Sequence, residues 1–250
     1  MQIQQIRNST LKITFAGKII LTDPMLLPKH GIESFAGKEK NPVVELPFPA
    51  DEVIQDIDMI LVSHLHQDHF DDAAKKMLPK DIPLFCRPGH ENAIKESGFS
   101  LVIPIEDSMT WENIEITRTQ GHHAGNRKWE DILGLVSGFI FKAKGEPLVY
   151  WAGDTLLYEE IETLIKTVKP DIILTHSCGA VIDDSGSIVM DAKMTVDVCR
   201  LAPEAIVIAT HMEALDHATV TRKDLRAMAD KAGINKGRLL IPEDGEILSF

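Results

Sequence analysis

The stretch Ser63-His64-Leu65-His66-Gln67-Asp68-His69-Phe70 places four potential metal ligands, His64, His66, Asp68 and His69, within six consecutive positions. Neutral imidazole and carboxylate are the usual ligands of zinc and similar divalent ions. His64 and His66 stand at i and i+2 directly after the apolar run IDMILVS, so an extended backbone points both imidazoles to one side. Asp68 and His69 follow as the chain turns toward DDAAKKML, and they can face a second ion beside the first. Two divalent ions acidify water enough to attack a carbonyl carbon or phosphorus near neutral pH, with no serine or cysteine nucleophile.

Residues of the same types close other apolar runs. His122 and His123 follow IEITRTQ, Asp154 follows PLVYWAG, His176 follows DIILT, and His211 follows AIVIAT. In sandwiches and α/β sheets such strand-to-loop junctions gather at one rim, where ligands distant in sequence meet. Two ions about 3.5–4 Å apart need a shared ligand, and a carboxylate such as Asp154 can bridge them.

The elements that must carry these residues follow from periodicity. IQQI, LKITF and KIILT, punctuated by Asn-Ser and Ala-Gly, predict an opening β-meander. IDMILVS, IPLFC, SLVIPI, IEITRTQ, LGLVSGFIF, PLVYWAG, DIILTHS, AIVIATH, LLIP and ILSF predict further strands. DDAAKKML, HENAIKESG, EEIETLIKTV, MDAKMTVDVCRLA and TRKDLRAMADKAG predict helices. Meanders leading into β-α units in both halves predict an α/β fold of two sheets packed face to face with helices outside, a four-layer αββα sandwich. With no linker or repeat, residues 1–250 read as a single domain. The segment 24–50 carries five prolines and no sustained period, and is expected to cover something.

Hydrophobic residues form 44% and charged residues 26% of the 250, ordinary globular composition rather than disorder. The net charge of −12 argues against sequence-blind binding to nucleic acid or anionic lipid. No apolar run approaches the length of a membrane span, and the N-terminus lacks a signal-peptide pattern. Cys86, Cys178 and Cys199 form neither a disulfide framework nor a CxxC site, so the cytoplasm is the expected location. Cys178 reads as a small packed residue, Met190 and Met194 as helix core, and Asp183-Asp184 as a turn.

HLHQDH, the later GHH, AGDT and ATH, in that order, resemble the metallo-β-lactamase-fold hydrolases. The resemblance spans nearly the whole chain. It is nearest the branch containing L-ascorbate-6-phosphate lactonase and N-acyl-phosphatidylethanolamine phospholipase D, through LTDP, VSGFIF and the following GDT. It implies that His64, His66 and one of His122 and His123 hold a first metal, that Asp68, His69 and His211 hold a second, and that Asp154 bridges them. TQGHH, set against the branch's TPAxH-like stretch, favours His123, whereas the shorter glyoxalase II pattern favours His122. His66, where flavodiiron oxygen reductases carry Glu, disfavours redox di-iron chemistry.

The expected activity is metal-dependent hydrolysis of a small anionic ester, lactone or phosphodiester, with Asp68 and Asp154 as the catalytic carboxylates and Asp68 the proton acceptor. Zinc suits the ligands, with manganese and iron as alternatives. The rival readings are a glyoxalase II-like thioesterase and a metal-stabilised binding or sensing module without turnover. The expected partner is a small molecule, with no nucleic acid or membrane, and homo-oligomer formation stays open. Asp23 reads either as the orienter of a ligand imidazole or as an Asp-Pro turn cap. His176 reads as a substrate contact or a strand end, and Glu213 and His217 as pocket residues or solvated loop. His30, Lys38 and Lys40 in the covering segment, and Arg127, Lys128 and Trp129 after the GHH loop, read as substrate groups or as exposed charge with one packed aromatic.

Overall fold

The computed structural model describes residues 1–250. One sheet runs through β1 (Gln2–Arg7), β2 (Thr10–Phe15), β3 (Lys18–Thr22), β4 (Met59–Val62), β5 (Leu84–Cys86) and β6 (Val102–Pro104). The second contains β7 (Ser108–Trp111), β8 (Ile114–Gly121), β9 (Val136–Lys142), β10 (Val149–Trp151), β11 (Ile172–His176), β12 (Ile206–Thr210) and β13 (Leu239–Leu240). β14 (Ile247–Ser249) returns to the first sheet and pairs antiparallel with β1. Each sheet begins as an antiparallel meander and continues as a parallel array, β3 to β6 in one and β10 to β13 in the other.

Alternation along single strands builds the layers. In β4, Met59 and Leu61 face the inter-sheet core, while Ile60 and Val62 face the outer core of that sheet. In β11, Ile172 and Leu174 point into the inter-sheet core and Ile173 points outward. A strand covered on both faces needs a continuous apolar run, which is what MILV and IILT supply. The outer layers come from α1 (Ala50–Val53), α2 (Asp72–Met77) and α3 (Glu91–Glu96) on one side. On the other they come from α4 (Arg127–Leu133), α5 (Glu159–Val168), α6 (Ala192–Leu201) and α7 (Arg222–Lys231). The predicted two-sheet α/β sandwich is the fold observed.

Three elements were not predicted: the single turn α1, α4 and β7. α4 occupies what reads as an exposed charged turn, because Asn126 caps it, accepting from the Trp129 N–H, and Trp129 buries itself beneath. β7, SMTW, alternates exposed and half-buried residues at a sheet edge, so its apolar signal is weak.

β3 runs parallel to β4, and β8 and β10, each antiparallel to β9, run parallel to β11 and β12. The ends of these strands therefore share one rim, and Asp23, His64, His123, Asp154, His176 and His211 lie at or just beyond them. The segment 24–50 passes over part of this rim. Arg7, fully buried, ties it down by donating to the carbonyls of Met25, Leu27 and Val44.

Candidate metal centre

At the rim, Nε2 of His64 faces Nδ1 of His66 at 2.9 Å. Oδ2 of Asp154 lies 3.2 Å from Nε2 of His69, 3.3 Å from Nε2 of His123 and 3.9 Å from Nε2 of His64. Oδ2 of Asp68 lies 3.3 Å from Nε2 of His69 and 3.2 Å from Nε2 of His211. All seven residues taken from the sequence thus converge, with Asp154 between a His64, His66, His123 group and an Asp68, His69, His211 group.

The outward nitrogens fix the tautomers. Ser63 Oγ donates to Oδ2 of Asp23 at 2.6 Å, so it accepts from Nδ1–H of His64 at 3.0 Å. Nε2–H of His66 donates to the Leu133 carbonyl at the end of α4, and Nδ1–H of His123 donates to the Ile188 carbonyl, at 2.9 and 2.8 Å. Nδ1–H of His69 donates to Oδ2 of Asp23 at 2.7 Å. With the outward nitrogen carrying the proton, the inward nitrogen of each of His64, His66 and His123 is the one left with a lone pair. Burial pushes His64 well below the usual imidazole range, and it pushes His123 down to about 4, so both are neutral at pH 7.

Lone pairs facing one another at 2.9 Å repel unless a cation stands among them. At a tetrahedral ion with bonds of about 2.0–2.1 Å, ligand atoms lie roughly 3.3 Å apart, and the separations here cluster near that spacing. Burial alone would raise the Asp68 and Asp154 carboxyls, but the surrounding imidazoles outweigh it and hold both well below the usual carboxylate range. The cluster is a set of electron-pair donors able to bind metal.

Of the residues left open by sequence, Asp23 orients His69 and, through Ser63, His64. His176 is fully buried and lies behind Asp154, not in the cavity. His122 stands apart: its side chain is 46% exposed, bonded to Glu130 and packed on Tyr158. Glu213 pairs with Arg222, His30 with Glu39 and Lys40 with Glu33. Lys38 is exposed, and its backbone N–H bonds to Ser34 and Asp216. Arg127 is exposed, Lys128 pairs with Asp184, and the buried Trp129 donates to the same carboxylate. None of these side chains reaches the cavity. Cys178 is the packed residue expected, its Sγ 3.4 Å from Nδ1 of His211. Met190 is core, and Met194 packs against it.

Other contributors carry no chemical signature in sequence. Asn8 and Ser9, at the turn between β1 and β2, both donate to the Asp68 carbonyl, and the Asn8 carbonyl accepts from the His211 N–H. The Asn-Ser punctuation marks the turn but not what it holds. A Cβ on Gly153 would lie 2.5 Å from the Ser137 carbonyl, and one on Gly138 would lie 2.6 Å from the Ala152 carbonyl. Both glycines let the loop before Asp154 fold tightly onto β9.

Above the cluster opens a cavity of about 320 Å³. His66, Asp68, His123, Asp154 and His211 line its floor, and Phe35, Leu65, Leu133, Ile182, Ile188 and Val189 line much of its wall. His217 also lines it, whereas no lysine or arginine does.

A sandwich of this topology with a His/Asp cluster at its rim defines a class, the metal-dependent hydrolases of the metallo-β-lactamase fold. Residues 18–212 match the family model described as Beta-lactamase superfamily domain, and the chain belongs to that superfamily. It is 36% identical over 255 residues to UPF0173 protein YddR of Bacillus subtilis (strain 168), each covered over 100% of its length. The solved isothiocyanate hydrolase from Delia radicum gut bacteria is 33% identical with a TM-score of 0.92, covering 100% of this chain and 99% of that one. A possible metal-dependent hydrolase from Veillonella parvula DSM 2008 is 31% identical with a TM-score of 0.95 at the same coverages. The chain is a metal-dependent hydrolase.

Proposed function

We propose that the chain is a binuclear hydrolase acting on a small, largely apolar electrophile such as an ester, a lactone or an isothiocyanate. His64, His66 and His123 would hold one ion, Asp68, His69 and His211 would hold the other, and Asp154, which lies between the two groups, would be available to both. Zinc fits this ligand set, with manganese or iron as substitutes. When bound, the two ions supply an acidified water nucleophile and polarise the atom next to the attacked carbon.

The chain's own residues do the rest. Asp68 lines the cavity and is ionised, so it can take the proton that the attacking water releases. Asp23 and Ser63 hold the imidazoles of His69 and His64 in one tautomer. Leu65, Leu133 and Ile182 exclude water from the space above, which strengthens each polar contact at the reacting carbon.

The observation that carries the substrate class is the cavity wall, apolar and without a lysine or arginine. An anionic substrate would find its counter-charge only at the ions, so the anionic ester and phosphodiester expected from sequence rank below neutral substrates. The full-length similarity to an isothiocyanate hydrolase supports the same ordering. The three free, buried cysteines are at home in a reducing cytoplasm, and the whole chain serves as one catalytic domain.

The test is metal-loaded protein assayed on phenyl acetate, δ-valerolactone, allyl isothiocyanate, an acyl-glutathione thioester and bis(p-nitrophenyl) phosphate. The neutral oxygen ester, lactone or isothiocyanate should give the highest kcat/KM. Preference for the phosphodiester would overturn the substrate class, preference for the thioester would favour the glyoxalase II-like reading, and turnover of none would favour a binding module.

A further inference from the structure

His217 lies in the loop after β12, is 5% exposed and lines the cavity beside Asp68 and His211, yet it belongs to neither ligand group. Its Nδ1 is buried without any hydrogen-bond partner. A buried polar atom left unpaired costs roughly 1–3 kcal/mol, so such atoms persist where a ligand satisfies them.

The ring is held in place from several sides. The backbone carbonyl of His217 accepts from the Val181 N–H at 3.0 Å. Phe35 packs against the imidazole edge-on, with centroids 5.2 Å apart. The neighbouring Asp216 fixes Phe35, because its carboxylate accepts from Ser34 Oγ and from the backbone N–H groups of Phe35, Ala36 and Lys38. The covering segment and the loop after β12 thus close on each other around one imidazole that has a free nitrogen.

We propose that His217 is a further catalytic residue, a neutral hydrogen-bond donor to the substrate heteroatom that gains electron density as water attacks the adjacent carbon. This rests on the hydrolase reading above. Attack at a carbonyl or heterocumulene carbon moves an electron pair onto oxygen, nitrogen or sulfur, and a prepositioned donor lowers the barrier most where that charge appears. Burial disfavours the charged His217 ring, and a neutral imidazole carries one N–H to donate. No proton is transferred in this role; the ring donates a hydrogen bond that strengthens in the transition state.

The experiment compares His217→Ala, His217→Phe and His217→Gln on the best substrate of the panel, with bound metal measured for each. Metal content should stay at the wild-type level. kcat/KM should fall about 100- to 1,000-fold for Ala and Phe, the loss expected of an oxyanion donor, with substantial recovery for Gln, which keeps an N–H. A Phe variant as active as wild type would overturn the proposal in favour of packing against Phe35, and loss of metal in step with activity would overturn it in favour of ligand support. A second arm titrates intact zinc-loaded protein with a trifluoromethyl ketone and follows the His217 ring nitrogens by NMR. A shift supports the hydrogen bond and no shift overturns it. This arm reads out even if no panel substrate turns over, which separates failure of this inference from failure of the hydrolase reading.

Discussion

His176 donates from Nδ1 to Oδ1 of Asp154, and its Nε2 accepts from the indole N–H of Trp151 at 3.1 Å. Because an indole nitrogen only donates, His176 is held as the Nδ1–H tautomer. Oδ1 of Asp154 is thereby engaged from behind, and Oδ2 is left facing the imidazoles of His69 and His123. A strand-end histidine that could have touched substrate is instead the orienter of the central carboxylate. His176→Phe should leave the fold intact and lower metal affinity or activity about 10- to 100-fold, the usual effect of removing a ligand's hydrogen-bond partner. Competition with a fluorescent chelator measures it, and wild-type affinity with wild-type turnover would refute the role.

Asp154→Asn and His66→Ala should each abolish hydrolysis and lower bound metal. Elemental analysis of protein purified without added metal should find about two ions per wild-type chain, as a paired site requires, and fewer in both variants. His123→Ala should behave like them, while His122→Ala should keep wild-type metal content, because His122 points to Glu130. The reverse pattern would reassign the ligand.

Metal loading should release protons. In the metal-free protein burial would push His69 down, but Asp154, Asp68 and Asp23 outweigh it and raise the imidazole well above its usual range. Nε2 must lose its proton to bind a metal, so loading should release about one proton from this residue and affinity should fall as pH falls. Calorimetry in buffers of different ionisation enthalpy reads the number directly. For metal-free stability the signs oppose. The raised His69 stabilises fully below an unfolded value near 6.5 and stops stabilising as pH rises through its folded value. The depressed Asp68 and Asp154 stabilise above about 3.8 and are lost as pH falls through their lower folded values. A thermal scan of chelator-stripped protein should therefore show Tm falling at both extremes.

Arg7→Met should destabilise the protein by about 2–4 kcal/mol, since it leaves three partly or fully buried carbonyls without their donor. Urea unfolding measures the loss, and faster proteolysis within 24–50 should accompany it. A change below about 0.5 kcal/mol, the range of an ordinary surface substitution, would show that the segment is held by other contacts.

Much of the fold and of the candidate ligand set was legible because each depended on local pattern. MILV and IILT reveal strands buried on both faces, and HLHQDH places four candidate ligands at one strand end, a density that needs no tertiary argument. α4 escaped because its evidence was one cap and one buried indole within a charged stretch. Arg127 and Lys128 read equally as substrate groups or as exposed charge for the same reason: charge on a short helix looks alike in sequence whether it faces a cavity or solvent.

By itself the sequence determined the residue types, their order and the side of the strand that His64 and His66 share, because these follow from backbone period. Only the tertiary structure sets His122 and His123 apart, since a one-residue step at a strand end sends one imidazole into the cluster and its neighbour to Glu130. It also decided which nitrogen of each histidine faces inward, through acceptors as distant as Asp23, Leu133 and Ile188. The apolar cavity wall is likewise tertiary, since Phe35 comes from the covering segment, Leu65 from the loop after β4, Leu133 from the end of α4, and Ile182 and Ile188 from the loop after β11. Their convergence is a property of packing, and no local pattern in the chain encodes it.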